Sequence, residues 1–593
     1  MAVSALAAAG PAAPLKTVGP GVRLTTTENG LEAPDDPLLA AYFLSPADVE
    51  RYRRVFALQE AGDMDAADGL IAEIEDRRLM GHVLYQRYMH PTAWRSRYGE
   101  LRDWMANYAD HPNARRIYEL AMTRRPANAR RPQRAISINR QYGTVENFGV
   151  ESCRYDLGRR RNRAIERQVA RYLRRRHVTV ALNYLEERRG RLHRVEFDRL
   201  RADIAAGYFH ESILDKALEH ATASAERSGG RAPEAYWVAG LASWRMQDYE
   251  AAAGHFENFA NAECGSSWGR SAGAFWAARA HLRNRNPEAV SEWLGHAAEH
   301  SRTFYGQLAL RSLGVDSRLN FAAPPLTEAH FEAVASVPAA HRAVGLLQIG
   351  NFDLANRELI RIRPADAPPL VQQALVAIAD QAGLPRLALA VGGNVRPSDG
   401  GYYDGALYPL TNWEPTEGYQ VDRALIHAVM RQESRFNPTA RSRAGARGLM
   451  QLMPRTAIFI GGRSFRGQLG RRRLYDPAQN LQLGQDYMAR LLGRERGVDN
   501  DVMRMLIAYN AGPGNLRTWL RNTQYDNDAL LFIESIPNRE SRGYIERVLA
   551  NLWIYRQRLG QPTPSMDRIA AGAWPRYTSL DNGDLEVANR GEN

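Results

Sequence analysis

The sequence predicts a mainly α protein: an N-terminal α-solenoid of helix pairs, a smaller helical linker domain and a compact C-terminal α domain. Three observations carry that expectation. From Pro37 to about Leu310 almost every segment repeats its apolar residues with helical period, and few alternate as strands do. Within that stretch Trp237, Gly240, Tyr249, Ala252 and Phe256 are followed by Phe275, Trp276, Ala280, Pro287, Ala289 and Trp293. The spacing, about 35 to 40 residues, is typical of tetratricopeptide-like units, each too small to bury its apolar face alone. Finally, VRPSDGGYYDGALYPL, rich in Gly, Pro and Tyr, breaks the helical pattern near residue 400 and reads as a domain boundary.

At 593 residues the chain is too long for one hydrophobic core. The expected division is an N-terminal segment at 1–36, the superhelical domain at 37–310, the linker domain at 311–400, the C-terminal domain at 401–578 and a polar, disordered tail at 579–593. Met1 to Leu15 are rich in alanine but lack the positive start of a secretory signal, and a processed or mis-started signal is one origin for them. Hydrophobic content of 44% suits a soluble globular protein. No run approaches the roughly 18 apolar residues of a spanning helix, which leaves the chain peripheral to a membrane at most.

The net charge of +12 invites a nucleic-acid reading. Only two of the 78 basic residues are lysines, Lys16 and Lys216, a skew toward arginine that looks like codon bias. The densest run, Arg159 to His177, keeps apolar residues at helical spacing and reads as one solvated helix face, so no nucleic-acid partner is expected. An anionic polymer such as a cell-wall glycan with peptide stems would be attracted by the same charge. Cys153 and Cys264 exclude a cysteine-based zinc site; one bridge and two separate thiols both fit, and spacing does not choose. The fourteen histidines are scattered, so neither a metal nor an organic cofactor is expected.

Chemistry concentrates in RQESRFNPTARSRAGARGLMQLMP, Arg431 to Pro454. Val421, Leu425, Ile426, Val429 and Met430 form an apolar stripe, and Glu433 falls at its edge, close to the helix stop at Asn437-Pro438. A partly desolvated carboxylate there keeps its proton to higher pH, as a general acid must. His427, six residues earlier, faces elsewhere and reads as structural. Ser442, Gly445 and Gly448 make a polar loop, followed by Gln451 among apolar neighbours and Met453. Downstream, AYNAGPGN brings Tyr509 and Asn510 to a helix end stopped by glycine and proline, and FIESIPNRESRGYIERVL supplies Glu534, Glu540 and Tyr544. In isolation Glu540 is a helix-start carboxylate favoured by the macrodipole.

Four ordered motifs, ES at Glu433-Ser434, GLMQLMP from Gly448 to Pro454, AYNAG from Ala508 to Gly512 and the last one from Phe532, resemble those of the lytic transglycosylases, lysozyme-like enzymes that cut the glycan strands of bacterial peptidoglycan. SRTFYGQLAL, Ser301 to Leu310, resembles the end of the long superhelical domain in the soluble, periplasmic, doughnut-shaped type. The resemblance implies a ring-like superhelix, a lysozyme-like C-terminal fold, a periplasmic location and peptidoglycan as substrate. It further implies that Glu433 is the catalytic acid and then base, and that Ser442, Gln451, Met453, Tyr509, Asn510 and Glu540 bind the saccharide or a peptide stem. The superhelix offers a concave surface for protein partners. Two other readings compete: a goose-type-lysozyme-like hydrolase using the same acid with a positioned water, and a wall-bound scaffold.

Overall fold

Helices make up nearly all the regular structure of the computed structural model, which describes residues 25–581 apart from 28–29, 35, 37–38, 40, 137–161, 363–366 and 398–399. The alanine-rich start, most of the polar tail, Cys153 and the first three arginines of the basic run lie outside the described residues. The pairing of the two cysteines is therefore not described, although Cys264 is disulfide-bonded. Among the described residues the single strand pair is a two-residue hairpin, Thr26–Thr27 against Gly30–Leu31. No described helix is long and apolar enough to cross a membrane. The chain divides into two compact units, one of residues 1–142 with 322–406, the other of residues 143–321 with 407–593.

In the first unit, buried polar side chains from four separate stretches meet. Asn113 donates its N–H to His111 Nδ1 at 3.1 Å, so the ring proton of His111 sits on Nε2. That proton faces His82 Nδ1 at 3.0 Å, which leaves the His82 proton on Nε2, 2.8 Å from Glu358. Arg342 closes the relay, donating to both oxygens of Glu358 at 2.8 and 2.9 Å and to Asp110 at 2.7 Å. Both carboxylate oxygens and all four ring nitrogens are spent. The cluster thus joins helices rather than offering open ligands to a cation.

Burial holds His111 neutral, with its pKa far below the ordinary value, and lowers that of His341 as well. Hydrogen bonds and charge hold Asp76 and Glu358 below theirs, against the opposing effect of burial. All four signs agree. A depressed histidine contributes stability that is complete above its unfolded value near 6.5 and is lost as pH falls below it; depressed carboxylates lose theirs further down. At pH 5 one histidine that stays neutral when folded costs about 2 kcal/mol. In the second unit Glu433, Asp501 and Glu546 are shifted up, which favours the folded state on acidification, while burial depresses His210 to about 3 and His427 to about 4, which opposes it. Hydrogen exchange at pH 7 and pH 5 should therefore show protection lost in the Met80–Tyr88 helix, which carries His82 against His111.

In the second unit, successive helices from Arg194 to Ser312 pack each against the next. Glu234–Arg245, Tyr249–Ala260 and Ser267–Arg283 show why. Gln247, at φ 64°, turns the chain, and Asp248 caps the next helix by accepting from Ala251 N at 3.0 Å. The repeated aromatics then meet: Trp276 lies 5.1 Å from Trp244, 5.6 Å from Phe256 and 6.2 Å from Trp237, ring centre to ring centre. A Cβ on Gly240 would stand 2.6 Å from the Phe256 ring, so only glycine allows the two helices to close. Burying each large ring contributes roughly 2–3 kcal/mol.

The SRTFYGQLAL motif has a specific use in this unit. Its helix, Phe304–Ser312, docks on the long helix Arg539–Arg558. Phe304 stacks on Trp553 at 5.2 Å, Tyr305 donates its hydroxyl to buried Glu534, and Gln557 donates to Gln307 at 2.8 Å. Arg279 adds an ion pair to Asp528 at 2.5 Å.

Candidate active site

The helix Arg423–Glu433 is buried on every side, not along one stripe as its spacing suggests: Ala424 through Arg431 are all enclosed. It packs against Arg539–Arg558, and its polar residues are accounted for internally. His427 donates from Nδ1 to Arg423 O at 2.8 Å and accepts from Thr411 N at 3.1 Å, and burial pushes its pKa down to about 4. This is the structural role its position suggests. Arg431 donates to Leu407 O at 2.8 Å and to Asn551 at 3.0 Å, with its guanidinium over Tyr408. The core of the unit thus fixes the helix from which Glu433 projects.

Glu433 is the last helical residue and is half-buried. Ser434 follows as the cap, then Arg435 and Phe436 turn the chain at φ 51° and 59°, an uncommon pair of left-handed residues, with Phe436 fully buried as the plug. Burial raises the Glu433 pKa to about 7; the nearby Tyr544 hydroxyl opposes the rise and the Glu540 charge adds to it. The negative end of the helix dipole acts in the same direction as burial. Tyr544 is buried, and its hydroxyl reaches toward the acid without meeting any group in full hydrogen-bond geometry. Tyr509 is also electrostatically coupled to Glu433.

The loop after the acid is built mainly by its own backbone. Ser442 Oγ accepts from Ala446 N at 3.0 Å, and Arg447 pairs in antiparallel bridges with Arg441 and Leu452. Gln451, at φ 47°, spends both amide protons on Gly448 O at 2.8 Å and Ala440 O at 3.2 Å. Its Oε1 is thus the atom left to face a ligand. Met453 is 40% exposed at the start of the helix Pro454–Gly461.

Two further side chains clamp the Met450 peptide. Tyr509, from Val502–Ala511, donates to Met450 O at 2.8 Å, and Asn480, from Pro477–Arg494, accepts from Met450 N at 2.7 Å. Asn480 also donates to Leu474 O at 2.9 Å and Arg447 O at 3.2 Å. Asn510 accepts from Ser541 at 2.8 Å and so ties the Tyr509 helix to the first turn of Arg539–Arg558, where Glu540 is exposed. The structure therefore groups Glu433, Tyr509, Glu540 and Tyr544, with Asn510 behind them. Among the described residues no hydrogen bond or ion pair joins Ser442 or Met453 to Glu433.

Two participants were not singled out from the sequence as site residues. Tyr544 stood in a recognised motif without a role. Asn480 was not read from the sequence; the available signal was an amide one turn inside the Asp476-Pro477 helix start.

With this geometry in place, comparison with known proteins is decisive for the C-terminal region. Residues 412–532 match the family model of the transglycosylase SLT domain. The soluble lytic murein transglycosylase of Escherichia coli (strain K12) is 39% identical over 167 residues, 27% of this chain and 24% of that protein. Its counterpart in Salmonella typhimurium is 40% identical over 147 residues, 25% of this chain and 22% of the relative. The aligned stretch is thus about a quarter of each relative. In fold the likeness extends further. The 70 kDa soluble lytic transglycosylase from Escherichia coli superposes with a TM-score of 0.51 at 19% identity, over 90% of this chain and 99% of that one. An inactive mutant of lytic transglycosylase Slt from Pseudomonas aeruginosa gives 0.53 at 20% identity, over 87% of each chain. The mainly α architecture, with helix pairs preceding the SLT domain, is therefore the fold of these proteins.

Within the SLT domain the Glu433 environment makes a pH test available. An acid that must hold its proton loses activity as pH rises through its pKa, here about 7. Tyr544→Phe removes an influence that lowers this pKa, so the alkaline limb of kcat/KM should move to higher pH. Glu540→Gln removes one that raises it, and the limb should move to lower pH. Rate profiles of the two variants on one substrate check the opposite signs.

Proposed function

We propose that the protein is a peptidoglycan lytic transglycosylase that cleaves the β-1,4 bond between N-acetylmuramic acid and N-acetylglucosamine without water, leaving 1,6-anhydromuropeptides. The observation that supports it best is one carboxyl group, Glu433, poised near pH 7, whose only acidic influence among the described residues is the exposed Glu540. Most glycosidases need two carboxylates, whereas substrate-assisted ones use the acetamido group of the sugar in place of the second.

Glu433 gives its proton to the glycosidic oxygen, and the N-acetyl oxygen attacks C1 as the N-acetylglucosamine 4-hydroxyl departs. The Glu433 carboxylate then takes the proton of the C6 hydroxyl, O6 displaces the acetamido oxygen from C1, and the acid is restored. No water is consumed. Gln451 Oε1 accepts from the acetamido N–H; Tyr509, its own proton spent on Met450, holds the loop and offers oxygen lone pairs. Ser442, Met453, Asn510 and Glu540 line or support the saccharide groove. The place of action is the periplasm, on the wall itself.

Purified sacculi digested by the full chain, followed by borohydride reduction and mass spectrometry, test the reading. Products that resist reduction and are lighter by one water are expected. Reducible muropeptides would mean hydrolysis, and no release would mean a binding role.

A further inference from the structure

Between Glu433 and Asp476 the chain carries ten arginines and no aspartate, glutamate or lysine, although acids make up 66 of its 593 residues. Nearly all of the net charge of +12 therefore arises in this one stretch, which lies in the second unit. Apart from Arg435 and Arg447, the guanidinia are exposed and have neither a hydrogen-bond nor an ion-pair partner among the described residues. An ordinary solvated face interleaves both signs of charge, whereas a single sign makes a field that attracts polyanions.

Two apolar side chains stand in the same stretch. Leu469 is 76% exposed, more than any other large apolar residue described, and Phe459 is 62% exposed. The core positions here are already filled by other residues. Phe465 is buried between Gly461 and Gly470, where any Cβ would collide with it, and Leu474 is buried at the end of the helix Gly467–Arg473. On that helix Leu469 has Arg466 one turn before it and Arg472 and Arg473 one turn after it, all on one face. The helix Pro454–Gly461 holds Phe459, with the Arg490 guanidinium 4.7 Å from its ring centre.

We propose that this face binds an anionic phospholipid surface, with the guanidinia on headgroup phosphates and Leu469 and Phe459 entering the upper acyl layer. A soluble polyanion such as the wall polymer would use the arginines and gain nothing from an exposed leucine, whereas a lipid interface takes both. Arginine suits that place because its apolar stem lies along the interface while its planar head engages phosphate through two bonds. Binding is peripheral, since no described helix is long and apolar enough to cross a membrane. Met453 leads directly into the helix that holds Phe459, so the docking face adjoins the candidate active site. A chain held this way acts where membrane and wall meet. The lipid site does not depend on which reaction Glu433 performs.

Co-sedimentation of the full chain with vesicles of phosphatidylcholine and phosphatidylglycerol in equal parts, against vesicles of phosphatidylcholine alone, tests the assignment. The wild type should bind the first and stay in solution with the second. R471Q/R472Q/R473Q should bind about a hundredfold more weakly, and L469Q, which alters no charge, about tenfold. All four positions are exposed, so both variants should fold, which circular dichroism checks. No binding by the wild type, or undiminished binding by either variant, would overturn the proposal. If the triple variant lost its binding to purified sacculi and kept its binding to vesicles, the face would belong to the wall polymer. Absence of vesicle binding alongside intact release of anhydromuropeptides would remove this site and leave the transglycosylase reading standing.

Discussion

Glu433→Gln should reduce release of anhydromuropeptides by at least about a thousandfold, since one side chain serves both proton transfers and neither survives in an amide. Shape and hydrogen-bonding capacity are nearly retained, so binding to sacculi, measured by co-sedimentation, should persist. Stability should hold or improve at pH 8. The carboxylate charge is disfavoured by burial, which is why its pKa stands near 7, and glutamine carries no charge to desolvate. A variant that lost both binding and turnover would point to a collapsed site. One that kept substantial turnover would remove Glu433 from the chemistry.

Gly448→Ala should be the most damaging substitution that touches no catalytic group. At φ 77° the backbone already disfavours any side chain, and a Cβ would stand 2.1 Å from Leu474 O and 2.3 Å from Asn480 Nδ2. Backbone strain contributes roughly 1–3 kcal/mol. Displacing Asn480 then releases the Met450 and Arg447 peptides it bonds, at about 1 kcal/mol or more for each buried group left unpaired. Gly445→Ala is the natural control: it also has positive φ, 96°, but a Cβ there meets nothing within 4 Å. Thermal unfolding should show a loss of roughly 3–5 kcal/mol for the first variant and about 1 kcal/mol for the second. Turnover should follow the same order, because the loop presents Gln451.

What the sequence made legible was whatever repeats or follows motif spacing. Trp237, Phe256 and Trp276 recur at helix-pair spacing and are the packed ring cluster of the solenoid. Glu433 was visible because a helix stop and a glycine loop follow it, features that local chemistry imposes. The all-round burial of the acid helix was not visible, since the partners that enclose His427 and Arg431, namely Thr411, Leu407 and Asn551, all lie outside that helix. Gln451 was legible as an amide in the site, but not that its two protons are spent on its own loop. Long-range pairings were hidden altogether. The relay of His82, His111, Arg342 and Glu358 joins positions up to 276 residues apart, with no local pattern to announce it.

The central claim is that one carboxyl group cleaves the strand without water, and digestion in water enriched in oxygen-18 tests it most directly. Products analysed by mass spectrometry should carry no label at the muramic acid C1 and weigh one water less than their hydrolysed counterparts. Incorporation of one labelled oxygen at that carbon would contradict the account and make the protein a hydrolase.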